Sequence, residues 1–331
     1  MSRECFVACG TLFVAAGIAL FGNLGGAGAE PPTVKLGILQ FGTVNWEIDV
    51  IEHHGLDHEH GVVLDARRMA NKNATAITLN AGETDMIVTD WLWVSRQRDA
   101  DFDYTFVPYS EAAGSLMVHP DRGIDSLADL DDKVLGVAGG SVDKSWLLLR
   151  AYMIEKHGLD PADMVKAIHG APPLLQEKFL QGEFDGVLNF WNYTARLRAG
   201  DSVELLRVQD ILPALGVAGR LPLIGYVFRE SWAAENPKAL QGFLAASAAA
   251  RKILVESDDE WERLRPMTRA ENDAVLASLR QGYRDGVPQT SAATQRDAIA
   301  AAFAIVAKLG GRDLVGQSTQ LASGTVWQGT P

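Results

Sequence analysis

SLADLDDKVLGVAGGSVDKSWLLLRAYMIEKHGLDPADM (residues 126–164), followed by LQEKFLQGEFDGVLNFWNY (residues 175–193), decides how this chain is read. Val134–Ala138 reads as a strand, Gly139-Gly140-Ser141 as a turn onto a helix, Gly158 as the stop of that helix and Asp160-Pro161 as a new start. A further helix, Gly182 and a second buried strand over Gly186–Phe190 complete the unit. A glycine-rich turn between strand and helix lets a ligand approach free backbone N–H groups, and the helix dipole favours negative charge there. The segment is built to hold a small molecule.

Working outward, strand-like and helix-like segments alternate from Thr33. Val34–Gln40, Val62–Arg67 and Met86–Val88 read as strands, and Trp46–Glu52, Ala74–Ala81 and Leu92–Arg98 as helices. Such alternation implies an α/β fold, a largely parallel sheet flanked by helices with ligands at the carboxyl ends of the strands. Tyr104–Val107 and Ser115–Val118 read as strands that carry the chain out of this lobe, and Leu223–Phe228 as the strand that returns to it. The expected division is 34–118 plus 223–331 for lobe 1 and 119–222 for lobe 2. After Asn236-Pro237, an N-cap before proline at the first helical position, the chain reads as mostly helical. Leu240–Val255, Glu271–Tyr283 and Ala292–Leu309 are the expected helices, the last stopping at Gly310-Gly311. No internal repeat is recognised.

Ser126-Leu127-Ala128-Asp129-Leu130, Gly140-Ser141, Gly158-Leu159-Asp160-Pro161 and Leu180-Gln181-Gly182-Glu183-Phe184-Asp185-Gly186, with Trp191 beyond the strand, carry a resemblance. In this order they resemble the periplasmic substrate-binding proteins of ABC importers. The group in question includes nitrate, taurine, sulfonate and thiamine-pyrimidine-precursor binders, the NMT1-like proteins among them. The resemblance implies a two-lobe periplasmic-binding-protein fold of type II with its ligand in the interlobe cleft. It also implies a monomer that closes by a hinge, needs no cofactor, and delivers a small molecule to an ABC permease and its ATPase subunits.

The N-terminus agrees independently. Arg3 precedes an apolar run from Cys5 to Leu24, and Ala27-Gly28-Ala29 has the pattern of a cleavage site, so residues 1–29 are expected to be a signal peptide and the mature chain periplasmic. Both cysteines, Cys5 and Cys9, fall inside it, which leaves no thiol, disulfide or Cys–metal site in the mature chain. Removing Arg3 and Glu4 with the signal keeps the formal charge at −12. An acidic chain without a basic cluster argues against nucleic acid.

A chain that crosses twice between two lobes places five loops at one mouth: Gln40–Trp46, Ala70–Ala74, Thr89–Trp93, Gly139–Trp146 and Asn189–Tyr193. Their aromatic and amide content suits a binding pocket with apolar walls and a few oriented polar groups. The candidate ligand contacts are Phe41, Thr43, Asn45, Trp46, Asn73, Asp90, Trp91, Glu111, Gly140, Ser141, Lys144, Asn189, Trp191 and Asn192. Ser141 is the expected N-cap of the following helix, with Lys144 in its first turn. Lys144 there suits an anion, whereas Asp90, Glu111 and Asp143 suit an amine. The five loops hold no arginine for a bidentate clamp, so a neutral or weakly charged planar ligand is expected.

His53, His54, His58 and His60 form a cluster in which His54 and His58 have metal-pair spacing. Gly55 breaks the helix between them, and the run reads as a solvated turn. P-loop, G-x-S-x-G, H-E-x-x-H and EF-hand signatures are absent from the sequence. The function that the resemblance implies is that of a solute receptor and not an enzyme. Two alternatives stand beside it: an accessory factor of a periplasmic quinoprotein dehydrogenase, and a pyrimidine-synthesis-like enzyme, which the cysteine-free mature chain disfavours.

Overall fold

The computed structural model describes Met1 and residues 30–329. The body of the expected signal segment, with Cys5 and Cys9, lies outside the described residues. The first part of the chain runs β1 (Thr33–Leu39), α1 (Val44–His54), the single turn α2 (Leu56–Glu59), β2 (Val63–Met69), α3 (Lys72–Asn80), β3 (Met86–Thr89), α4 (Trp91–Arg98) and β4 (Tyr104–Ser110). A second sheet follows through β5 (Ser115–Val118), β6 (Val134–Ala138), α5 (Lys144–His157), α6 (Pro161–Met164), β7 (Lys166–Gly170), α7 (Pro172–Leu180), β8 (Gly186–Asn189), α8 (Trp191–Arg198), β9 (Val203–Arg207) and α9 (Ile211–Ala214). The chain returns as β10 (Ile224–Arg229) and ends in α10 (Glu230–Glu235), α11 (Pro237–Glu256), α12 (Asp258–Thr268), α13 (Asp273–Asp285) and α14 (Ala292–Val315).

Val34, Leu36 and Ile38 alternate along β1 and are fully buried, as the two-residue period of a strand with a buried face requires. The two sheets have the same design. In the first the order is β2-β1-β3-β10-β4, and in the second β7-β6-β8-β5-β9. Three parallel strands are followed in each by one antiparallel strand, β10 against β3 or β5 against β8. Each lobe thus receives a strand at a crossover, the topology of a type II two-lobe fold. Ser115–Val118 belongs to the second sheet, between β8 and β9, although it was expected within lobe 1. We accordingly propose residues 111–114 and 215–223 as the crossovers. Gly114 abuts the carbonyl of Asn189, and Gly225 that of Val107, so closely that a Cβ would overlap either oxygen.

The expectation of no internal repeat is overturned by the two sheets. Gly82 and Gly182, Glu83 and Glu183, Asp85 and Asp185, Trp91 and Trp191, Arg96 and Arg196, and Arg98 and Arg198 occupy matching places at a constant offset (182 − 82 = 100). Gly82 and Gly182 both turn the chain with positive φ, 71° and 75°. Asp85 accepts from the Lys35 N–H at 2.8 Å, and Asp185 from the Val134 N–H at 2.8 Å. Each carboxylate therefore ties the turn before its strand to the neighbouring parallel strand.

The helical C-terminal region differs from expectation in three places. Asp258–Thr268 forms a helix in spite of Pro266, α14 runs on to Val315 through a kink at Gly311, and the side chain of Asn236 does not cap α11. Residues 316–327 form a strap over the outer edge of β4. The Phe106 N–H donates to Thr325 O at 2.8 Å and the Trp327 N–H to Phe106 O at 2.9 Å, which protects an exposed sheet edge. Among the described residues no helix is long and apolar enough to cross a membrane.

The matched carboxylates yield a paired expectation. Asp85→Ala and Asp185→Ala should each lower stability by about 1.5–3 kcal/mol, the worth of a hydrogen bond to a charged group. Chemical denaturation of both variants measures this. A loss of under about 0.5 kcal/mol at one position only would show that the two ties are not equivalent.

Candidate functional site

The loops after β1 and β8 meet through Trp46 and Trp191, and those after β2, β3 and β6 through Lys72, Asp90 and Lys144. Within the first loop Asn45 is a staple. Its amide donates to Leu39 O at 2.8 Å and Gly42 O at 2.7 Å, and its oxygen accepts from Arg68 Nε at 3.1 Å. Thr43 occupies the N-cap position of α1 without a side-chain cap bond. The tightened loop projects Phe41 into solvent, 70% exposed, and buries Trp46.

Trp46 is the junction between the lobes. Its ring meets Trp191 edge-on at 5.7 Å and Trp261 at 5.6 Å. Trp191, half-buried on lobe 2, also lies against Gly282 of α13, where a Cβ would come within 3.0 Å of its ring. Behind Trp46, Glu47 is fully buried and anchors α1 by accepting from Tyr226 at 2.8 Å, Ser247 at 2.5 Å and Tyr283 at 3.1 Å.

The expectation for Trp91 is corrected. It occupies the place in lobe 1 that Trp191 holds in lobe 2, but it is fully buried and its Nε1 donates to Pro222 O at 2.8 Å. Trp91 is therefore a core residue that holds the second crossover, and Trp191 pairs with Trp46 instead. Asn189 is likewise internal, donating to Pro172 O at 3.0 Å and accepting from the Phe190 N–H at 2.8 Å. Glu111 is buried near the crossovers, under the α13–α14 connection. Asn73 is exposed at the start of α3, and Asn192 is half-buried beside Tyr193.

The turn after β6 also departs from expectation. Asp143, not Ser141, caps α5, accepting from the Ser145 N–H at 2.8 Å. Ser141 is exposed, and Gly139 and Gly140 hold φ of 85° and 102°. A Cβ on Gly139 would collide with the Asp143 carboxylate, so glycine is required for this cap to form.

Lys144 crosses the cleft. Its Nζ donates to Asp90 Oδ2 at 2.9 Å, and both side chains are close to nine-tenths buried. Asp90 also caps α4, accepting from the Trp93 N–H at 3.0 Å, and Lys72 Nζ stands 3.7 Å from the same carboxylate. Burial alone would raise the Asp90 pKa, but Lys144 and Lys72, with the bonds from Lys144 and Trp93, outweigh it and hold the carboxyl well below its usual range. Burial would lower that of Lys144, and Asp90 and Asp143 raise it instead. A pair with Asp90 depressed and Lys144 elevated stays charged from acid to alkaline pH. Its stabilisation fades only as pH falls toward the Asp90 value or climbs toward that of Lys144.

Arg269 was missed because it lies outside the five loops. It ends α12 in the left-handed region at φ 54°, and its guanidinium stands 5.7 Å from the Phe41 ring centre. Across the mouth, burial raises the Tyr193 pKa while Arg196 and Arg269 pull it down. Arg196 of lobe 2 grips the end of α12 through Thr268 O at 2.5 Å and Arg269 O at 3.0 Å, and pairs with Glu271 at 3.0 Å. Nothing in the local sequence marks Arg269; its place just past the end of α12 sets its guanidinium beside Phe41.

At the histidine cluster, His54 Nε2 pairs with Glu260 at 3.2 Å. Among the described residues no group of three or more His, Cys, Asp or Glu side chains is placed to hold a metal ion. The open surface depressions beside Arg98 and Phe102 and beside Arg296 and Val326 contain none of the candidate residues.

Removing one member of a buried ion pair strands the other. Lys144→Gln and Asp90→Asn should each cost about 3–5 kcal/mol, and the double variant should recover part of that loss. Urea unfolding of the four proteins gives the coupling. Strict additivity would mean that the pair does not act as a unit.

Solved structures with the same architecture were found. The periplasmic aliphatic sulphonate binding protein SsuA of Escherichia coli superposes with a TM-score of 0.70 at 19% identity, covering 91% of this chain and 93% of that one. The alkanesulfonate-binding protein SsuA of Xanthomonas axonopodis pv. citri, bound to MOPS, gives 0.66 at 18% identity, covering 90% and 99%. An ABC transporter structure from Parabacteroides distasonis gives 0.68 at 12% identity, covering 90% and 99%. No curated protein matches the sequence. The NMT1/THI5-like family model matches residues 51–260, more than half of the chain and including Trp91, Lys144 and Trp191, and the chain therefore belongs to the NMT1/THI5-like family.

Proposed function

We propose that this chain is an extracytoplasmic solute receptor that closes its two lobes on a small organic molecule and hands it to an ABC permease. The observation that carries the reading is a pair of contacts between the two lobes, made by residues that follow the carboxyl ends of parallel strands. Trp46 and Asp90 come from one lobe and Trp191 and Lys144 from the other. Such a site is completed only when the lobes approach, so a ligand contacting both stabilises the closed form by its differential affinity. The solved relatives, named as binding proteins or transporter components, support the same reading. So does the expected signal segment, which would place the mature chain in the periplasm.

The ligand-contacting set we favour is Phe41, Trp46, Trp191, Asn192 and Tyr193, with Asp90 and Lys144 at the polar centre. Asn45 and Asn189 shape the loops, and Trp91 supports them from the core. The ion pair neutralises its own charges, consistent with a ligand of low net charge and an extended apolar face.

A thermal-shift screen of the mature protein against pyrimidines, amines, sulfonates and nitrate should find at least one stabilising compound. With that compound, Trp191→Ala should weaken binding by about 1–3 kcal/mol in calorimetry, the order expected of a buried aromatic contact. Trp91→Ala should instead destabilise the fold by about 3–5 kcal/mol. Unchanged affinity in Trp191→Ala, or no stabilising compound in the screen, would count against the receptor reading.

A further inference from the structure

Glu111 lies where the two crossovers and the α13–α14 connection meet, and it is 1% exposed. Its backbone N–H donates to Gly286 O at 2.7 Å, and the Leu223 N–H of the second crossover donates to Ser110 O at 2.9 Å beside it. Gly286 presses against Ala112, leaving no room for a side chain. Water can reach the carboxyl only if these segments part.

The carboxyl is poorly served in this position. Oε1 accepts two long bonds, from Thr290 Oγ1 at 3.4 Å and Gln295 Nε2 at 3.5 Å. Oε2 is buried without a hydrogen-bond partner. The charged group facing Glu111 is Arg220 of the second crossover, whose Nη1 is committed to Asp285 O at 2.7 Å. The α13–α14 connection contributes the uncharged Thr290 and the first turn of α14 the uncharged Gln295, while the chain on either side of Glu111 supplies only Ser110, Ala112 and Ala113. Among the described residues Glu111 forms no salt bridge. A buried carboxylate in this state is costly, whereas a protonated carboxyl is not.

We propose that Glu111 makes the hinge proton-sensitive: the closed arrangement takes up a proton at Glu111 that the opened arrangement, with the crossovers parted and the carboxyl hydrated, releases. The inference rests on the hinge motion of the receptor reading. Burial raises the Glu111 pKa, against smaller opposing pulls from Arg220, Thr290 and Gln295. The form with the higher pKa is favoured as pH falls through that value and disfavoured above it, so acid favours closure. The Asp90–Lys144 pair does not titrate in the same window.

Small-angle X-ray scattering of the ligand-free mature protein, between about pH 8 and pH 4.5, tests this. The radius of gyration of the wild type should fall as the pH is lowered. Glu111→Gln, which mimics the protonated carboxyl, should be compact and flat across the range. Arg220→Gln removes the facing cation and should move the midpoint up by about half a pH unit or more. A pH-independent wild type, a Glu111→Gln variant that titrates like the wild type, or an Arg220→Gln midpoint that is unmoved or lower would each overturn the proposal. Should Glu111→Gln not fold, the Arg220→Gln midpoint decides. Lobes that close on a stabilising compound but ignore pH would remove this inference and leave the receptor reading intact. Lobes that respond to neither would remove both.

Discussion

The ion pair between Asp90 and Lys144 is the interaction on which the arrangement of the cleft depends. A buried carboxylate and ammonium repay their desolvation only in good geometry with further hydrogen bonds. Here the geometry is supplied from both sides. Asp90 is fixed by capping α4, and Lys144 is fixed as the first residue of α5, directly after the Asp143 cap. Gly139 is glycine because the Asp143 carboxylate occupies the space of its missing side chain. The turn that reads from sequence as an anion cradle is thus a device for aiming a lysine at the opposite lobe.

Around that pair the two lobes use the same framework for different ends. Trp91 and Trp191 begin equivalent helices after equivalent strands. One is sealed in the core beneath the second crossover, and the other stands half-buried against Trp46. Duplicated ties at Asp85 and Asp185 keep the two frameworks alike, while the residues just beyond the strands, Asp90 in one lobe and Phe190 in the other, make the cleft chemically asymmetric. Arg196 extends the asymmetry by holding the end of α12, whereas its counterpart Arg96 makes no equivalent bond among the described residues.

Much of this was legible in the chain. Alternating apolar runs, Gly158, Asp160-Pro161 and the return strand near Leu223 were enough for two α/β lobes, because strand and helix periods and their stop signals are local. Burial of individual side chains was less legible. Trp91 and Trp191 have nearly the same sequence surroundings, and only packing against α14 or against α1 and α13 separates them. Asn45 and Asn189 looked like ligand contacts because amides suit pockets, yet Asn45 is consumed by backbone carbonyls of its own loop and Asn189 by the carbonyl of Pro172 at the start of α7. Arg269 and Glu47 left no trace, since each acquires its role from an element distant in sequence. The repeat was overlooked because the matching residues are few and widely spaced.

The central claim is that the two lobes close on a small solute. The mature chain is expected to carry no cysteine, so a fluorophore pair can be placed at Ile77→Cys on α3 and Leu174→Cys on α7, both exposed positions on opposite lobes. Single-molecule energy transfer between them, recorded while a stabilising compound from the thermal-shift screen is titrated, reads the motion directly. The account predicts two distance populations, with the shorter one growing at the expense of the longer as the compound saturates. A single population whose distance does not change at saturation would contradict it.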